Sequence, residues 1–216
     1  MRLYSLQRLL EHIYQVQIEY RVDDFLITDQ GLAHHLEGGR APSASRERLL
    51  VRQEEGELQL ALYLDEGVLQ RLIEQNPFKS LHEDNLEDFL LALEGVSHFL
   101  YLGWKAELEQ GVSLLELELQ AEVDKFVTTL ALSAQQRRQW IPYLMHHRLF
   151  EQCGFDPSLE GEQLLRYRDA NRFAGRYCWR LEDRFLRRRR ISALMEELRH
   201  FYRLPQRQKF CHIESS

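Results

Sequence analysis

LEDFLLALEGVSHFLYLGWKAELEQGVSLLELELQAEVDKFVTTLA, residues 86–131, is the longest strongly apolar, turn-poor stretch of the chain, interrupted once at Gln110 and Gly111. Its spacing predicts a helical hairpin. Apolar residues run almost all the way round the first helix, the pattern of a helix buried on most sides. Glu94 and His98 are set into that surface four residues apart, hence on one face. If the hairpin is antiparallel about Gln110 and Gly111, His98 falls opposite positions 122 to 124, where Glu122 stands.

Carboxylates and imidazole are the side chains that hold divalent iron, manganese or zinc, and helical bundles build such sites from inward-pointing groups on facing helices. Glu94, His98 and Glu122 are therefore candidate metal ligands, with Glu118 as a further carboxylate and a divalent metal as the implied cofactor. The spacing fits di-iron bundles only in part. Those use a Glu and a His three apart, whereas the three-apart pair here is Glu197 and His200, near the far end of the chain. The competing expectation is that His98 pairs with Glu94, Tyr101 or Glu122, because a buried polar group has to be hydrogen-bonded.

After the hairpin, Ser133 is read as the cap of another helix, Pro142 as a break within it, and 153–161 as a loop. Residues 162–204, EQLLRYRDANRFAGRYCWRLEDRFLRRRRISALMEELRHFYRL, read as one long helix that bends near Gly175 or within 187–190. Pro205 ends it, leaving a loose tail. Arg168, Arg172, Arg176, Arg180, Arg184 and Arg188 recur every four residues. On a helix of 3.6 residues per turn each step drifts by about 40°, so the arginines wind round the helix rather than forming one stripe. Tyr167, Phe173, Tyr177, Trp179 and Phe185 interleave with them, the mixture found in nucleic-acid binders. Arg180, Arg184, Arg187, Arg188, Arg189 and Arg190 are the candidate polyanion- or partner-binding residues.

Before the hairpin the chain reads as a small α/β region. Leu6, Leu9, Leu10 and Ile13 predict an amphipathic helix, and Val16, Ile18, Tyr20 and Val22 alternate as in a half-buried strand. Residues 25–28 are read as a second strand or the continuation of the first, and 34–47, with its Gly, Pro and Ser, as a loop. Residues 48–65 predict a hairpin turning at Glu55 and Gly56, with Leu58, Leu60, Leu62 and Leu64 on one face. Asp65 is placed to cap a helix over 66–75, ended by Asn76 and Pro77. The expected fold is α+β, mainly α: a small N-terminal antiparallel sheet with flanking helices, then a helical bundle with a long C-terminal helix. The expected division is 1–77, 78–157 and 158–216, the last forming one compact unit with the region before it.

Composition narrows the function classes. Among 216 residues 44% are hydrophobic and 29% charged, as in ordinary globular proteins. No run reaches the ~18 to 20 apolar residues of a spanning helix, and the start lacks a signal-peptide pattern, so a cytoplasmic protein without a membrane partner is expected. Cys153, Cys178 and Cys211 are far apart and form no CxxC pair, which speaks against a disulfide framework or a zinc finger. The net charge of -6 is unevenly spread, with residues 158–216 basic and the rest acidic. Motifs of the GxSxG, Walker, GxGxxG and HExxH types are missing, and no catalytic residue is identified. The sequence therefore leans toward a non-catalytic intracellular protein that binds a protein partner or forms a homo-oligomer through its helical surface. Its alternatives are a metal-dependent enzyme centred on the hairpin, and a nucleic-acid or other polyanion binder using the arginine-rich helix.

Overall fold

The computed structural model describes residues 1–38, 45–54, 57–136, 145–152, 154 and 161–215. The expected turn at Glu55 and Gly56, the break at Pro142, Cys153 and most of the 153–161 loop lie outside the described residues. The fold is α+β and mainly helical. The chain divides into two compact units: Met1–Arg8 with Ile18–Gln110, and Leu9–Gln17 with Gly111–Ser216.

The first unit holds the sheet. Strands β1 (Leu26–Ile27), β2 (Glu47–Glu54) and β3 (Glu57–Leu64) run in the order β1-β3-β2. β2 pairs antiparallel with β3, as the alternation predicts, but β1 pairs parallel with it through Leu26↔Leu62 and Ile27↔Tyr63. The sheet is thus mixed rather than purely antiparallel. Along β3, Leu62 and Leu64 are fully buried while Leu58 is exposed, so the apolar face is covered only at one end.

No strand forms over residues 16–22. Helix α1 (Leu3–Tyr14) supplies the reason, because Gln7 donates to the Tyr20 carbonyl at 2.8 Å and accepts from the Val22 N–H at 2.8 Å. A side chain meets backbone groups that a neighbouring strand would otherwise pair. Val22–Phe25 closes as a single 3-10 turn. The predicted loop at 34–47 likewise begins as helix, α2 (Gln30–Leu36), capped by Asp29 and carrying His34 and His35.

Asp65 caps α3 (Glu66–Glu74) as its position predicts, accepting from the Val68 N–H at 3.2 Å. Arg71 then grips Asp88 through two bonds of 2.6 and 2.9 Å, fixing α3 to α4 (Glu83–Glu107). Helix α4 lies against β2 and β3. Gly95 permits that approach, since a Cβ there would meet Leu62 Cδ1 at 2.6 Å and Glu47 Oε1 at 2.7 Å.

The second unit is a helical bundle. Ser113 caps α5 (Leu114–Gln135) by accepting from the Glu116 N–H at 3.1 Å. Ser133 is not the cap of a new helix: it sits inside α5, and its hydroxyl donates to the Thr129 carbonyl at 2.6 Å. A π-helical turn, His147–Glu151, precedes α6 (Gly161–Leu181), which packs along α5 and buries Ala170, Ala174, Tyr177 and Leu181. The predicted long helix breaks within 187–190, after a second π-helical turn at Glu182–Leu186, and continues as α7 (Ile191–Arg203). The expected tail is instead α8 (Gln206–Glu214), which buries Lys209 and Ile213, four apart on one face. Stacked rings join α7 to its neighbours: Tyr14 on Tyr202 at 4.0 Å and Tyr177 on Phe201 at 3.9 Å.

Candidate polyanion-binding surface

Glu94 and His98 stand one turn apart on α4 in the first unit, His98 buried and Glu94 half-buried. Glu122 belongs to α5 in the second unit, and both of its oxygens are engaged there. Oε1 accepts from the Lys125 ammonium at 2.7 Å and Oε2 from the Asn171 amide at 3.2 Å. Asn171 also donates to the Leu149 carbonyl at 2.9 Å, so Glu122 is part of the packing between α5 and α6. Glu118, also buried, has Arg166 Nε 3.9 Å away. His147 and Glu151, four apart, bond directly at 2.7 Å.

The second unit also contains a polar chain that the sequence did not announce. Lys209 Nζ donates to Gln120 Oε1 at 2.7 Å, and Gln120 Nε2 donates to Asp124 Oδ1 at 2.8 Å. The Tyr14 hydroxyl donates to the same carboxylate oxygen. All four residues are at most 1% exposed. Burial first, then the Asp124 charge, pushes the Tyr14 hydroxyl well above the usual tyrosine range. Cys178 is likewise pushed up by burial and then by the charges of Glu122 and Asp124, which keeps it an inert thiol. A group sealed from solvent on every side binds nothing from solution, so this network acts as a structural staple of the bundle.

The arginines divide sharply. Arg168, Arg172 and Arg176 are exposed along one side of α6, while the next in the series, Arg180, has turned inward and is 7% exposed. The 40° drift per step accounts for this: three successive arginines stay within one face, and the fourth leaves it. Arg180 Nη1 donates to the carbonyls of His212 at 2.9 Å and Ile213 at 3.2 Å, placing a cation at the C-terminal end of α8, where carbonyls lack helical partners. Burial holds its pKa below the usual arginine range, against the opposing influence of Glu197 and Tyr177.

Beyond Arg180 the π-helical turn resets the helical phase. Its wide hydrogen bonds run from Arg187 N–H to the Glu182 carbonyl at 3.0 Å and from Arg190 N–H to the Phe185 carbonyl at 2.9 Å. Arg189 adopts a left-handed backbone, φ 52°, as the chain turns into α7. Arg184, Arg187, Arg188, Arg189 and Arg190 are all exposed. Arg187 reaches Glu182 at 3.3 Å and Asp183 at 3.8 Å. Among the described residues no ion pair engages Arg184, Arg188, Arg189 or Arg190. Arg199 and Arg203 are by contrast occupied, donating to the carbonyls of Ile13, Tyr14 and Gln15.

Of the six arginines singled out in the sequence, five thus form an exposed cationic turn and Arg180 is a buried support. Trp179, one of the aromatics that interleave with the arginines, is 56% exposed on the same helix as Arg176. Among the described residues no helix is long and apolar enough to cross a membrane. Comparison with protein-family models, curated proteins and solved structures finds no match.

Proposed function

We propose that this is a non-catalytic binding protein whose second unit holds a nucleic acid through the arginine turn at 184–190. The observation that carries the reading is four consecutive exposed arginines, residues 187–190, of which only Arg187 meets an ion-pair partner among the described residues. Exposed pairs such as Arg187 with Glu182 are worth ~0–1 kcal/mol, so a phosphate displaces them easily. Arg168, Arg172 and Arg176 extend the same charge along α6. Phosphate contact of this kind needs only exposed cations and is independent of sequence. The acidic first part of the chain does not weaken the case, because binding follows local charge at a surface, and that charge is concentrated here.

The test is fluorescence anisotropy with short oligonucleotides at low and moderate salt, comparing the intact chain with a variant carrying Arg187→Gln, Arg188→Gln, Arg189→Gln and Arg190→Gln. Binding at low salt that weakens steeply with salt, and a clearly shallower salt slope in the variant, is the expected result. No binding by the intact chain at low salt sinks the reading.

A second reading, association with a protein partner or another copy, draws on the exposure of Leu165 (60%), Trp179 (56%) and Ile191 (55%) in the same unit. Light scattering over a concentration series separates the two, since self-association raises the mass in the absence of any oligonucleotide.

A further inference from the structure

A cavity of about 570 Å³ opens in the second unit beside the arginine surface, within the ~300–1,000 Å³ range of ligand sites. His146, Gly175, Arg176, Trp179, Arg180 and Glu214 are among the residues that line it. From this we infer that the cavity takes an unstacked nucleobase on Trp179, making single-stranded nucleic acid, rather than duplex, the ligand of the arginine surface. The inference rests on the polyanion reading and names the ligand class for that surface.

Three features support it. First, Trp179 leaves more than half of its surface in water although an indole gains much from burial, and its flat face is what a base stacks upon. Second, the walls are pre-set. His146 Nε2 is bonded to the Gly175 carbonyl at 2.9 Å, and its ring lies 5.0 Å from Phe150. Phe150 in turn closes on Gly175, where a Cβ would come within 3.1 Å of it. Third, the wall offers polar groups of both kinds that a base edge requires. Arg176 carries N–H donors and Glu214 a carboxylate acceptor, and both are exposed.

The same geometry disfavours duplex. A paired base is stacked between its neighbours and cannot enter a side cavity without being extruded, whereas a single strand presents its bases freely. Trp179 precedes Arg184, the first arginine of the turn, by only five residues, so one strand reaches both the stacking platform and the cationic turn. Arg176, adjacent to Trp179 and exposed, meets the phosphate flanking the stacked base.

The experiment compares a 12-nucleotide single strand with its duplex, using the full chain and the variants Trp179→Ala, Trp179→Phe and the four-arginine glutamine variant. The intact chain is expected to prefer the single strand. Trp179→Ala should weaken that binding by roughly tenfold while leaving duplex binding and the salt slope unchanged, and Trp179→Phe should retain most of it. The arginine variant should weaken both. Because Trp179 is exposed, its variants should melt with the parent, and a Trp179→Ala protein of equal melting temperature that binds single strands undiminished overturns the inference. So does an intact chain that binds duplex as tightly as single strand. Loss of binding in the arginine variant alone then leaves the polyanion reading standing, whereas no binding by the intact chain at low salt removes both.

Discussion

Replacing Lys209 by Met should be among the most damaging single changes in the second unit. Lys209 is fully buried on α8, its ammonium 2.7 Å from Gln120 Oε1 and above the rings of Phe201 at 5.0 Å and Tyr202 at 5.8 Å. Gln120 passes the bond on to Asp124, which also receives the Tyr14 hydroxyl, so the cation and the carboxylate share one hydrogen-bonded chain. Methionine fills similar volume, which makes the cavity contribution small and leaves mainly the electrostatic loss. Removing one partner of a buried charge pair costs ~3–5 kcal/mol, because the other charge stays buried without compensation. At ~4 °C per kcal/mol for a unit of this size, melting should fall by roughly 12–20 °C. Calorimetry and urea titration of Lys209→Met, Asp124→Asn and the double variant measure it, with a coupling energy of about 1 kcal/mol or more expected between the two sites. A loss below about 1 kcal/mol, or strict additivity, would refute the staple.

Two further outcomes follow from local geometry. Gly95→Ala should destabilise the first unit by about 1–2 kcal/mol in denaturant titration, despite the ~1 kcal/mol that alanine gains over glycine within a helix, because the new methyl meets Leu62 at 2.6 Å and Glu47 at 2.7 Å. Stability should also fall at alkaline pH. Tyr14, Tyr177 and Tyr202 are all raised well above 10.0, mainly by burial, and Cys178 well above 9.0. A group with a raised folded pKa contributes fully below its unfolded pKa and loses that contribution as pH rises toward the folded value. Between pH 10 and 11 the unfolded chain releases most of these protons while the folded one keeps them, so four such groups together cost up to about 4 kcal/mol over that pH unit. Urea titrations across that window should show this slope, reduced by about a quarter in Tyr14→Phe, and a flat profile contradicts the burial of these groups.

What the sequence made legible was mostly periodicity and capping. The apolar run of α4, the cap at Asp65, the strand pairing of β2 with β3 and the break before α7 all follow from local rules. The failures have a common cause, namely long-range partners. The segment over 16–22 alternates as a strand does, yet Gln7 takes up its backbone groups, and no local pattern records that. Lys209 made α8 look like a solvated tail, because a lysine reads as exposed until a buried Gln120 is known to receive it. Arg180 looked like its neighbours in the four-residue series, but the drift of that series turns it into the core. Glu122 is a candidate ligand by its place in the chain, and the bonds of its oxygens to Lys125 and Asn171 are long-range or side-chain partners that such counting does not reveal.

The most direct test of the functional account is the salt dependence of oligonucleotide binding, measured by anisotropy from low to moderate salt for the intact chain and for the variant with all four arginines at 187–190 replaced by glutamine. Single-stranded binding should weaken linearly in log–log form, and the variant's slope should be shallower by about 3, the ~0.7 per phosphate contact of a single strand counted over four arginines. An intact chain that shows no binding at low salt, or a variant whose affinity and slope match it, would contradict the assignment of the arginine turn as the nucleic-acid surface.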